Sequence, residues 1–186
     1  MQKQELIILG DEKVGKTHLL YRFCGKNDIQ NIERTVGVNM ESVQCAVNGQ
    51  TCGFRIIDTQ GIEEAYNVTK SFMSRMKGAI IVFDLKKPET IPVMKMWVDT
   101  IKGLKGEGFP CVIIGNKSDA IDHCITMEEA QIYSKSKGFS YFECSALENT
   151  GPIKEALNEI CQKVVGTLSP PPQSIPEPVS QNKCRL

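Results

Sequence analysis

Apolar residues in this chain come in short runs, set between longer stretches where they recur every three or four positions. The segments Leu6 to Leu9, Ala79 to Asp84, Val112 to Asn116 and Tyr141 to Cys144 are the kind that sheets covered on both faces use as strands. Val43, Cys45 and Val47 instead alternate with polar neighbours, and Asn48-Gly49 follows them. That dipeptide accepts positive φ at both turn positions, so residues from about Glu41 to Val47 are predicted to run antiparallel to Gly53 to Asp58. Helical spacing places Leu19, Leu20 and Phe23 on one helix, and Val93, Met96, Trp97, Ile101 and Leu104 on the face of another. A third helix starts at Thr126, with Glu129 completing a capping box, and stops near Gly138; a last one carries Ile153, Ala156, Leu157, Ile160 and Val164. The Met and Trp positions fall on apolar stripes and read as core packing. The order implies an α/β fold of six strands and five helices, a mostly parallel, doubly wound sheet with one antiparallel edge strand. Such sheets bind ligands beyond the carboxyl ends of their strands.

Composition narrows this picture. Lys plus Arg and Asp plus Glu both total 22, so no excess charge draws the chain to nucleic acid or to an anionic membrane. The eight cysteines include no C-x-x-C pair and read as reduced thiols of a cytosolic protein; Cys45, Cys111 and Cys144 sit in strand-like runs as small buried hydrophobes. His18 and His123 lie near no cysteine pair at ligand spacing, so no zinc site is expected. The longest apolar run, Ala79 to Phe83, is too short to span a bilayer, and the folded part is expected to be soluble. After Gly166 prolines dominate. One domain is expected over residues 1–166, with an extended, flexible tail over 167–186.

The chemistry begins where the first strand ends. Gly10-Asp11-Glu12-Lys13-Val14-Gly15-Lys16-Thr17 is G-x-x-x-x-G-K-T, a phosphate-binding loop between a strand and a helix start. The turn aims backbone N–H groups and the positive end of the helix at one polyanion. Lys16 then reaches the outer phosphates, and the Thr17 hydroxyl ligates Mg²⁺. ATPases, kinases and GTPases share this loop, so the base must be read elsewhere. Asn116-Lys117-Ser118-Asp119 closes the fifth strand, where Asp119 can accept from the N1–H and the exocyclic amino group of guanine. Adenine has no such pair of donors, and it would leave a buried carboxylate unpaired. After the sixth strand, the backbone of Ser145-Ala146-Leu147 can donate to the guanine carbonyl. Asp58-Thr59-Gln60-Gly61 ends the hairpin strand, with a carboxylate for a Mg²⁺-bound water and the Gly61 N–H for a γ-phosphate.

Together these motifs, with Thr35 eighteen residues beyond Thr17, make nearly all of residues 4–166 resemble a small GTPase of the Ras superfamily, with its P-loop NTPase G domain. The chain is most similar to the Rab branch, through Thr35-Val36-Gly37-Val38-Asn39-Met40, Ile114-Gly115-Asn116-Lys117 and Glu128-Glu129-Ala130. An Arf-type reading is the nearest competitor, on Asn39-Met40-Glu41-Ser42-Val43; the lack of an N-terminal Met-Gly counts against it. The resemblance implies a Mg²⁺-dependent GTP/GDP switch of the vesicle-trafficking system. Thr35 would join Thr17 on the metal in the GTP state, and two switch segments, about Asp28 to Met40 and Gln60 to Met76, would meet effectors, an exchange factor and an activating protein. It also implies a place in the cytoplasm, at the cytosolic face of endomembranes.

Departures from the family pattern matter as much. Ile62 stands where the family carries the water-orienting Gln, and Gln60 where it carries Ala, so hydrolysis is expected to be slow, with Gln60 or Arg34 as substitute groups beside Lys16, Thr35 and Gly61. Glu12 and Lys13 crowd the γ-phosphate side, and Asp28 replaces an aromatic residue that covers guanine, which leaves the aliphatic stem of Lys117 on the other face. Met40, Ile57 and Phe72 stand where Rab proteins show an aromatic triad to effectors. Cys184, third from the end, makes no C-a-a-X box; single prenylation and an unmodified thiol both remain open. The rival function is a hydrolysis-deficient pseudo-GTPase serving as an interaction module.

Overall fold

A computed structural model describes residues 3–26, 38–59, 71–148 and 151–168. In chain order these form β1 (Gln4–Gly10), α1 (Lys16–Phe23), β2 (Val38–Val47), β3 (Gln50–Thr59), β4 (Gly78–Asp84), α2 (Thr90–Lys105), β5 (Cys111–Asn116), α3 (Met127–Ser136), β6 (Ser140–Cys144) and α4 (Gly151–Leu168). Residues 71–73 add a short helical stretch, the fifth helix of the expected set. The sheet order is β2-β3-β1-β4-β5-β6; β2 and β3 are antiparallel and every other neighbouring pair is parallel.

Alternation along the central strands builds two cores. Leu6, Ile8, Ile80, Val82, Val112 and Ile114 face α1 and α4. Ile7, Leu9, Ile81, Phe83 and Ile113 face α2, together with Met73 and Met76. β4 and β5 are wholly buried, and β1 from Leu6 onward, because helices cover both sides of the sheet, so period 2 shows in which core a residue joins and not in its exposure. The β2–β3 hairpin turns on Asn48 (φ 52°) and Gly49 (φ 77°), as the dipeptide demands, and Val47 pairs with Gln50. Its strands are longer than expected, because pairing continues outward to Val38 and Thr59.

One expectation needs correction, and two features add to what the sequence implied. The α2 stripe is rotated: Met94, Trp97, Val98 and Ile101 are buried, Val93 and Met96 are only half-buried, and Leu104 is 44% exposed. Pro92 in the first turn is no obstacle to the helix, since the N–H it lacks is one the helix does not use there. Next, β6 is covered on both faces, with Phe142 against one core and Tyr141 against the other, but its open edge as the outermost strand leaves Ser140, Tyr141, Phe142 and Glu143 half-buried and only Cys144 enclosed. Finally, α4 runs past Gly166. The helix continues to Leu168, with the Thr167 hydroxyl donating to the Val164 carbonyl, because one helical glycine costs only about 1 kcal/mol. The capping box at Thr126 and Glu129 forms as expected, with Lys137 ending α3 and Gly138 following at φ 78°.

Candidate functional site

The strand order reverses about β1, which has β3 on one side and β4 on the other. Beyond the carboxyl ends of these strands is the crevice where doubly wound sheets take ligands. Gly10 leaves β1 at φ 144°, and a Cβ there would lie 2.1 Å from the Val82 carbonyl oxygen, so the loop starts against the backbone of β4. Gly15, at φ 98°, caps α1; a Cβ there would lie 2.2 Å from Asn116 Nδ2. The first bond of α1 runs from the Leu19 N–H to the Gly15 carbonyl at 3.0 Å, so the N–H groups of the first turn point toward the loop.

Lys16 is buried within this loop. Its Nζ donates to the carbonyls of Gly10 at 3.1 Å and Asp11 at 2.6 Å. Burial pushes its pKa down, against the opposing pull of Asp58, Asp11 and Glu12. The Asp11 carboxylate accepts from the Glu12 N–H at 2.7 Å and holds the loop's turn, while Lys13 adopts positive φ at 59°. Across the crevice the Thr17 hydroxyl donates to Asp58 Oδ2 at 2.6 Å, and Asp58 is fully buried at the end of β3. A hydroxyl and a carboxylate side by side are hard oxygen donors, the set Mg²⁺ takes when phosphates complete its shell. The residues present therefore fit both a phosphate chain and a magnesium ion.

On the far side, Asn116 joins two loops. Its Nδ2 donates to the Val14 carbonyl at 2.7 Å and its Oδ1 accepts from the Ala146 N–H at 3.1 Å. Lys117, at φ 70°, donates to the Lys13 carbonyl at 3.0 Å and pairs with Asp84 Oδ2 at 2.6 Å. Ser145 accepts from the N–H groups of Leu147 and Glu148, which closes the turn after β6. Ala146 is buried, Leu147 is exposed, and Asp119 is exposed on the loop after β5. Thus the loop from Gly10 to Thr17, Asp58, Asn116, Lys117 and the 145–147 turn meet at one edge of the sheet. Asp28, Arg34, Thr35, Gln60, Gly61, Ile62 and Cys184 lie outside the described residues.

Two contributors to the site went unassigned in the sequence. Asp84 anchors Lys117; its signal was a carboxylate ending an apolar strand. Arg22 donates from Nε and Nη2 to the carbonyls of Ala146 at 2.7 Å and Leu147 at 2.9 Å, which no local pattern could disclose across 124 residues. His18, one turn before Arg22 on α1, is half-buried; burial first, then Lys117 and Arg22, hold its pKa below the ordinary value.

A phosphate loop, a metal-competent Thr–Asp pair and a base loop tied together by one asparagine define a G domain, the guanine-nucleotide form of the phosphate-loop fold. A family model described as the Ras family matches residues 5–166, and the chain belongs to that family. Its curated relatives are Ras-related proteins of the Rab kind. It is 29% identical over 167 residues to RabC of Dictyostelium discoideum, covering 88% of this chain and 85% of that one. It is 32% identical over 161 residues to RABF2b of Arabidopsis thaliana (86% and 80%), and 28% identical over 167 residues to rab-11.1 of Caenorhabditis elegans (89% and 78%). The chain is therefore a small GTPase most similar to Rab proteins, in a family of GTP hydrolases that bind GTP, GDP and Mg²⁺ and meet regulators and effectors.

Proposed function

We propose that this chain is a slow-cycling Rab-like switch that acts in vesicle-mediated trafficking at the cytosolic face of endomembranes. Residues 1–166 form the switch, and residues 167–186 are its tether, with Cys184 as the lipid-bearing position. The observation that carries the reading is Asn116, whose two hydrogen bonds tie the phosphate loop to the 145–147 turn. The loop from Gly10 to Thr17 cradles the phosphates through its N–H groups, and Lys16 turns from its two carbonyls to the outer oxygens. Thr17, which donates to Asp58, would ligate a bound Mg²⁺, with Thr35 joining it in the GTP state and Asp58 holding a water on it. The ion would supply neutralisation of phosphate charge. Asp119 reads guanine and the stem of Lys117 packs on the base, beside the 145–147 turn that Asn116 fixes by accepting from the Ala146 N–H. Gly61 senses the γ-phosphate.

Ile62 makes the switch slow, because a hydrocarbon side chain cannot orient the attacking water and positioning is most of the catalysis in phosphoryl transfer. Gln60 and Arg34 are the remaining groups for that work. Glu12 adds negative charge where an activating protein's arginine would enter. The test is to extract the nucleotide from purified, undialysed protein and then to compare single-turnover hydrolysis with an Ile62→Gln variant. GDP on the protein and a faster Ile62→Gln support the reading. Equal rates for the two proteins sink the slow-switch argument, and GTP or an empty site moves the chain to a non-cycling interaction module. Intact mass of the protein from its own cells tests the lipid on Cys184.

A further inference from the structure

The nucleotide site uses no thiol, yet two buried cysteines meet on the opposite side of the β2–β3 hairpin. Cys45 on β2 and Cys161 on α4, 116 residues apart, are 4% and 0% exposed and bring their sulfurs to 3.0 Å, with the Cys161 thiol donating to Cys45. A disulfide needs about 2.05 Å, so roughly 1 Å of closure separates this contact from a bond. Both side chains sit in one apolar cluster, on elements already packed together, so little backbone movement is required. Cys52 is the cross-strand partner of Cys45 and is half-buried, which makes it the competing thiol.

We propose that Cys45 and Cys161 are a modification site, a thiol pair that a hydroperoxide converts to a disulfide stapling β2 to α4. Donation from Cys161 favours the Cys45 thiolate and raises the Cys161 thiol, so Cys45 is the first to react. Its thiolate attacks one peroxide oxygen, the O–O bond breaks, and Cys45 becomes a sulfenic acid as hydroxide leaves. Cys161 sulfur then attacks the Cys45 sulfur and expels the second hydroxide. The two thiol protons convert both hydroxides to water, so two thiols and one hydrogen peroxide give one disulfide and two waters. Among the described residues β2 is the edge strand, with no neighbour on its outer side, and local opening of an edge admits a molecule of that size. The consequence is mechanical: β3 of the same hairpin carries Asp58 as its next-to-last residue, so the staple fastens one wall of the nucleotide site to the last helix.

Full-length protein treated with hydrogen peroxide at low molar excess and digested without reductant tests this. The expected result is a linked peptide joining Cys45 to Cys161, about 2 Da lighter than the sum of its parts, restored to two thiols by dithiothreitol and still formed in a Cys52→Ser variant. The stapled protein should also unfold at a higher temperature than the reduced one, an increment that Cys161→Ala abolishes. A Cys45–Cys52 link in its place, or a Cys45–Cys161 pair still reduced when Cys52 has been oxidised, would overturn the proposal.

Discussion

Replacing Asn116 with alanine tests how far one side chain holds the site together. The change removes the donation to the Val14 carbonyl at 2.7 Å and the acceptance from the Ala146 N–H at 3.1 Å. Each bond is worth about 1 kcal/mol net, and each buried partner left without one costs about 1–3 kcal/mol. Val14 and Ala146 are 0% and 4% exposed, so water does not readily replace what is lost. The larger penalty applies at both ends, softened by loop relaxation, and the expected destabilisation is about 3 kcal/mol. With a urea slope of about 2 kcal/mol/M, the unfolding midpoint should fall by about 1.5 M. The assay is urea titration of nucleotide-stripped protein in chelator, followed by the fluorescence of Trp97, the one tryptophan, which is 5% exposed and anchored in the core. Stripping matters because a ligand that binds only the folded state would add its own stability. Asn116→Asp is the companion variant: it keeps an acceptor for the Ala146 N–H and sets a carboxylate against the Val14 carbonyl, so it should be no more stable than Asn116→Ala. A midpoint shift below about 0.3 M for Asn116→Ala would refute the reasoning.

Three further predictions concern separate parts of the molecule. Gly10→Ala sets a methyl 2.1 Å from the Val82 carbonyl oxygen at a φ of 144°, against β4 backbone that cannot yield as a flexible side chain would; the variant should lose at least about 3 kcal/mol in the same titration or fail to accumulate as soluble protein. Thr17→Ala should release a fluorescent GDP analogue in Mg²⁺ as fast as wild type does in EDTA, and added chelator should then change little; a variant still slowed by Mg²⁺ would take the Thr17 hydroxyl off the metal. The Glu129 carboxyl is held below its ordinary pKa of 4.5, first by the Thr126 backbone N–H and then by the Thr126 hydroxyl. Because the folded form holds its proton less tightly than the unfolded form, the cap's contribution is complete above pH 4.5 and lost as pH falls through the lowered folded value. The stability gap between wild type and Glu129→Ala, measured by urea midpoints from neutral to acid pH, should close along that path. A gap unchanged at the acid end would show that charge on Glu129 has no part in the cap.

What the chain determined by itself was local. Asn48-Gly49 forces its hairpin because both residues must take positive φ, and Thr126 with Glu129 starts α3 because the two groups satisfying its first turn are three residues apart. The phosphate loop is legible for the same reason, since its glycines, Lys16 and Thr17 act within one turn of chain. The guanine reading of Asn116 and Asp119 rested on residue types whose chemistry survives out of context. Other features depended on what lies across from a segment, and periodicity is silent about that. A stripe on α2 marks which residues are apolar, but the angle at which the sheet receives the helix decided that Met94 and Val98 are buried and Leu104 is not. Strand-like apolar residues in β6 could not disclose that β6 is an edge. The contacts that make a site out of motifs, Asn116 to Val14 and Ala146, Lys117 to Asp84, Arg22 to Ala146 and Leu147, and Cys45 to Cys161, span tens to more than a hundred residues. They exist because β1 lies between β3 and β4 and thereby gathers distant strand ends at one edge. That order arises from burying both faces of the sheet at once, a condition on the whole chain that no short window contains.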